Sequence, residues 1–275
     1  MERLEFRPFF STVAVLIIAL SGGYAQSGFN TIGGANFLGY GRAGVNLGGI
    51  GSIYFNQAGL ADVKNIGIDV SVDRRYNLSE LSTSSIAIAK STSSGTFGLM
   101  FSSFGFSDYS EQKIGLAYGR KLHPNLKIGG QFDMLRYSVA QIGTKNIFTF
   151  ELGAQLKVSK EFQIGIHLFS PGNSAISESE TLGSRFRLGV KYTPSKKIFM
   201  LVEVEKLINR DVEYRLGLGY DVAKGVHIML GMNPTISTFS FGAAFTFVEK
   251  YKIASAMALH NSLGAVPALS LQYAN

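Results

Sequence analysis

The chain has 275 residues and no cysteine, which excludes disulfides, thiolate metal sites and a lipid-anchored cysteine. Charged residues make up 16 %, against roughly 25 % in average soluble proteins, while glycine reaches 32 residues and tryptophan is absent. The formal net charge of +7 comes without a basic helix interleaved with aromatics, so nucleic acid is not indicated as a partner.

In chain order, residues 1–25 read as an export signal. Arg3 and Arg7 form a basic start, diluted by Glu2 and Glu5, and Phe9 to Leu20 is an apolar core too short to span a bilayer comfortably. Gly23-Tyr24-Ala25 supplies small residues, which places cleavage near Ala25 and the mature start at Gln26. No later segment approaches 18 uninterrupted apolar residues, so a membrane protein built from this chain has to be a barrel.

Residues 26–63 are glycine-rich and have no period of two. They contain Gly39-Tyr40-Gly41-Arg42-Ala43-Gly44, formally a dinucleotide fingerprint. That fingerprint needs a strand before it and a helix after it, and neither is indicated.

Residues 64–275 read as one domain of successive short strands, about fourteen in all, with apolar side chains on one face and Gly, Ala, Ser or charge on the other. A recurring phrase ends on an aromatic: Ile114 to Tyr118, Leu188 to Tyr192, Leu216 to Tyr220 and Leu269 to Tyr273. The connections alternate in length. Short ones such as Ser91–Gly95 and Asp221–Gly225 contrast with longer ones at Phe104–Glu111, Ser138–Lys145 and Ser170–Ser184. This is the pattern of an all-β, antiparallel up-and-down transmembrane barrel in the bacterial outer membrane, with short periplasmic turns and its apolar face in lipid. Tyr118, Tyr192, Tyr220 and Tyr273 then form an interfacial girdle on the short-turn side.

One luminal feature is a charge ladder of Arg185, Arg187, Glu203, Glu205, Glu213 and Arg215. Centring one turn on Ser195 pairs Tyr192 with Ile198, Arg187 with Glu203 and Arg185 with Glu205. Centring the next loop on Asn209 pairs Glu203 with Arg215 and Glu205 with Glu213. His123, His167, His227 and His260 are scattered without a partnered nucleophile or metal-ligand spacing, so neither enzyme nor cofactor is indicated.

Gly41-Arg42-Ala43-Gly44 through Gly48-Gly49, then Tyr54-Phe55-Asn56-Gln57-Ala58-Gly59-Leu60, resembles the PorV/PorQ and FadL-like outer-membrane proteins. Gln57 stands where that superfamily carries proline in its N-P-A-G-L motif. The resemblance implies a fourteen-stranded barrel whose lumen holds residues 26–63 as a plug or hatch, with Gly41, Arg42, Gly48, Gly49, Asn56 and Gly59 as its motif. For Arg42, the expected partner is a wall carboxylate such as Asp69, Asp133 or Glu151, and Asn56 reads as a turn or helix cap.

Two functions follow from the resemblance. The favoured one is an accessory barrel of type IX-like protein secretion, binding translocon subunits or exported cargo as well as outer-membrane lipid. The alternative is a FadL-like passage for hydrophobic small molecules.

Overall fold

The computed structural model describes residues 33–172, 182–208 and 210–275. The expected signal segment with its cleavage site, Asn209 and most of the Ser170–Ser184 connection lie outside the described residues.

The fold is a closed antiparallel barrel of fourteen strands in sequence order, with the last paired to the first. The strands are β1 (Ile66–Arg74), β2 (Ser82–Thr92), β3 (Gly95–Gly105), β4 (Tyr109–His123) and β5 (Leu126–Val139). Then come β6 (Gly143–Lys157), β7 (Phe162–Phe169), β8 (Arg185–Ser195), β9 (Ile198–Leu207) and β10 (Glu213–Ala223). β11 (Val226–Asn233), β12 (Thr238–Phe247), β13 (Tyr251–His260) and β14 (Gly264–Ala274) complete the wall. Closure removes every sheet edge, the condition for a strand to cross hydrocarbon. No described helix is long and apolar enough to cross a membrane.

Burial alternates along the strands as the sequence does. Outward residues such as Leu99, Leu116, Phe132, Val202 and Leu269 are exposed, whereas inward neighbours such as Ala87, Ala117, Glu203 and Ser270 are buried. A soluble barrel would reverse this, so the apolar face is the lipid face.

Two sequence expectations fail locally. The connections expected at Phe104–Glu111 and Ser138–Lys145 are mostly strand, because β3–β4 and β5–β6 keep pairing through Gly105–Ser110 and Val139–Gly143. Backbone pairing needs no apolar face, so polar strand ends extend past the apolar band.

The second failure is register. Tyr192 pairs with Met200, not Ile198, and the ladder shifts between Tyr192 and Ser195. Pro194 sits in that interval and has no N–H for the ladder, the circumstance in which a strand bulges. The offset is two residues, so faces are kept while partners change.

Inside the barrel, residues 33–63 form a short helix α1 (Gly34–Leu38), a tight turn, and 3-10 turns over Ile50–Tyr54 and Gln57–Asp62. Their apolar side chains build two buried clusters with the wall. Phe37, Ile53, Phe55 and Leu60 meet Ala87, Ala89, Met100 and Ala117. On the other side, Ala35, Leu38, Tyr40 and Ala43 meet Leu201, Met229 and the alanines of β12–β14.

Contact this close requires glycine on the wall. A Cβ at Gly231 would lie 1.9 Å from the Gly41 nitrogen, and one at Gly129 would lie 2.3 Å from the Gln57 carbonyl carbon. Gly41 and Arg42 both take left-handed conformations, with φ of 63° and 65°, which turns the chain sharply against β10 and β11.

Candidate functional site: plug, latch and vestibule

The corrected register reorganises the charge ladder. Arg187 lies opposite Glu205, Gly189 opposite Glu203, and Arg185 opposite Leu207. The pairs Glu203–Arg215 and Glu205–Glu213 stand as the sequence placed them. Glu205 becomes the hub: Arg187 Nε lies 2.5 Å from it, Arg215 reaches it with two nitrogens at 2.8 and 2.9 Å, and Arg185 Nε lies at 3.6 Å. Arg215 also binds Glu213 at 3.0 Å. Arg187 Nε and Glu203 Oε1 are 3.8 Å apart, and both side chains are buried inside the barrel.

Glu203 has a separate role. Its Oε2 accepts hydrogen bonds from the backbone N–H groups of Gly44 and Val45, each at 2.8 Å. The absent side chain at Gly189 makes room for this, since a Cβ there would meet Val45 Cγ1 at 2.5 Å. The wall therefore grips the plug through a buried carboxylate that two arginines hold in place.

A second buried network adjoins the first, since His167 on β7 is the register partner of Arg187 on β8. Gln57 Nε2 donates to Glu151 at 2.9 Å and to the Ile53 carbonyl at 3.1 Å. Glu151 also contacts His167 at 2.7 Å and pairs with Lys113, which reaches Asp133 at 3.2 Å. Gln57 thus supplies a side-chain donor that a proline at this position would lack. Lys113 was missed in the sequence, although the alternation that put Asp133 and Glu151 in the lumen puts Lys113 there too.

Asn56 caps the following 3-10 turn by accepting from Ala58 N, and donates to the Val45 carbonyl at 2.7 Å. Gly49 N bonds the Gly59 carbonyl at 3.0 Å, and Gly48 packs against Asp62, so these motif residues close the plug on itself. Tyr54 donates to Asp69 at 2.9 Å.

The Tyr40–Arg42 turn links the two ends of the lumen. Tyr40 Oη lies 2.6 Å from His227 Nε2, and His227 Nδ1 lies 2.6 Å from Asp221. Phe199 stacks on the His227 ring with centroids 5.8 Å apart. Burial, reinforced by the charge of Asp221, pushes the Tyr40 hydroxyl well above the ordinary phenol range, so it remains a proton donor. In the matching tautomer, His227 accepts from Tyr40 and donates to Asp221.

Arg42 faces the other mouth. Burial lowers its guanidinium to about 10, and the carboxylate that opposes this is Asp73. Asp69, Asp133 and Glu151, the expected partners, are engaged by Tyr54, Lys113, Gln57 and His167. Above the plug, a cavity of about 190 Å³ lies toward the long-loop end, lined by Arg42, Arg75, Arg185, Arg215, Glu205 and Glu213 among others. Guanidinium and carboxylate groups share its lining with apolar side chains such as Leu38, Leu207 and Ile236.

At the short-turn end, three tyrosines of the expected girdle meet neighbouring rings: Tyr192 stacks on Phe162, while Tyr118 and Tyr273 lie tilted against Phe97 and Tyr251. Tyr220 is exposed outward on β10.

A plugged, closed barrel with a lipid-compatible exterior defines a class of membrane-spanning β-barrel in which the chain's own N-terminal region fills the pore. Solved structures share this fold. The Ralstonia pickettii toluene transporter TbuX aligns with a TM-score of 0.70 at 9 % identity, covering 90 % of this chain and 99 % of its own. The CymD monoaromatic hydrocarbon channel gives 0.67 at 12 % identity, with the same coverage. A Pseudomonas aeruginosa FadL homologue gives 0.60 at 12 % identity, covering 92 % of this chain and 100 % of its own. No family model matches the sequence, and no curated protein matches it either.

Proposed function

We propose that this protein is an outer-membrane passage for small hydrophobic molecules, of the FadL-like kind, with the N-terminal segment as a movable plug. The observation that carries this reading is a lumen filled by a non-strand segment that meets the wall through two apolar clusters and buried hydrogen bonds, with no strand pairing between them. The architecture is shared over nine-tenths of the chain with a hydrocarbon channel and a toluene transporter. The secretion-accessory reading, favoured from sequence, recedes because CymD is a channel and TbuX a transporter.

A substrate would enter from the long-loop side, pass the vestibule and displace the plug toward the periplasm. Because guanidinium groups line the entrance, molecules with an apolar body and a negatively charged end are favoured over neutral ones of the same size.

The test is uptake by cells or proteoliposomes containing the chain, compared with an unrelated barrel of similar size. Faster entry of apolar probes supports the proposal. Unchanged entry, with a translocon co-purifying from detergent-solubilised membranes, would return the secretion role to first place.

A further inference from the structure

The lysines of this chain are not spread evenly over the two rims of the barrel. At the short-turn end, Lys90 and Lys121 flank the first two hairpin turns and Lys160 lies in the third. Lys196 and Lys197 form the fourth, Lys224 lies in the fifth and Lys250 in the sixth, and all seven are exposed. Within those turns the acidic residues are Glu161 and Glu249, and Glu249 pairs with Lys224 at 2.8 Å.

The opposite rim is close to balanced. Its described connections and strand ends carry Arg74, Arg75, Lys145, Lys206 and Arg210 against Glu80, Asp108 and Asp211, and the sequence of the β7–β8 connection adds Glu178 and Glu180. The excess positive charge of the rims therefore lies at the short-turn end.

We infer that this rim is a binding surface for anionic phospholipid headgroups of the periplasmic leaflet. Placement separates this partner from an acidic protein. Each of the six hairpin turns has a lysine in it or beside it, and exposed Lys64 precedes β1 at its seam with β14, so the charge forms a closed ring. A docking protein would need a patch on one sector or beneath the mouth, whereas a leaflet surrounds the barrel.

The ring also lies at the depth of lipid phosphates. Lys121 follows Tyr118 by three residues and Lys224 follows Tyr220 by four, so each lysine stands just beyond a girdle ring, which sits at headgroup level. Lysines so placed attract anionic lipid and release it as salt screens the field.

The experiment measures the association of spin-labelled phosphatidylglycerol and phosphatidylcholine with the full chain in bilayers. Phosphatidylglycerol should be enriched at least about twofold at low salt, and the preference should fade as ionic strength rises. A variant carrying K121Q, K160Q, K196Q, K197Q, K224Q and K250Q should lose most of it. A control changed at Arg75 and Arg210 should keep it. The salt dependence needs only the wild-type chain, so misfolding of a variant cannot hide the answer. Equal association of the two lipids would overturn the inference. Salt-dependent capture of polyglutamate by the bilayer-embedded chain, with no lipid preference, would assign the rim to an acidic protein instead.

Discussion

Glu203 and Glu205 stand two residues apart on β9 and face the same lumen, yet they do different work. Glu205 is bound by arginines of the wall, and Glu203 spends one oxygen on plug amides. Removing one member of a buried ion network leaves its partners uncompensated, typically at a cost of about 3–5 kcal/mol. Glu205→Gln should therefore lower barrel stability by that order, seen as an earlier unfolding midpoint in denaturant. Glu203→Gln should have a smaller effect on the barrel, but expose residues 44 and 45 to faster amide exchange.

Tyr40→Phe tests the latch directly. A hydrogen bond of this kind contributes about 0.5–1.5 kcal/mol net, so its loss should raise the open fraction of the plug about 2–12-fold. Single-channel recording would read this as more frequent openings. Unchanged opening would mean that Tyr40 is only a packing residue.

At the scale of elements, the alternation of β1–β14 was legible because period two is local: each residue's face follows from its neighbours. The two-residue slip between β8 and β9 was not legible in that way. It arises where Pro194 interrupts pairing, and both registers leave the apolar faces aligned. The plug's contacts were hidden for a different reason. Glu203 meets Val45 across 158 positions and Gln57 meets Glu151 across 94, and no periodicity encodes such pairings. Glycine on the wall was the available signal, since rows of inward Gly suit a close-packed occupant.

The same geometry supplies two element-scale predictions. Leu216 is outward on β10, and Leu216→Arg should cost roughly 2–4 kcal/mol if it lies near the bilayer midplane, measured by folding into lipid vesicles. Gly231→Ala puts a methyl group where the Gly41 backbone now sits, and backbone cannot rotate aside as a side chain can. That variant should keep its heat-modifiable barrel mobility and show a higher baseline conductance. A closed, quiet channel would show that the turn can relax in place.

For the molecule as a whole, the central issue is whether the plug moves during passage, and the absence of cysteine makes the answer accessible. A Cβ at position 189 would lie 2.5 Å from Val45 Cγ1, which leaves the Cβ atoms of residues 45 and 189 at most ~4 Å apart, within disulfide range. The pair Val45→Cys and Gly189→Cys should therefore cross-link plug to wall under oxidising conditions, with no competing thiol in the chain. The bond would form beside the Glu203 grip, where the Val45 carbonyl also accepts from Asn56 and Gln155. If substrates pass by displacing the plug, the oxidised protein should transport at background rate, and reductant should restore uptake in the same sample. The single Val45→Cys variant should transport in both redox states, and the reduced double variant should transport too, which separates tethering from the effect of the substitutions. Full uptake through the oxidised pair would show that molecules leave the lumen without moving this part of the plug. The route would then have to run through the barrel wall or along another side of the plug.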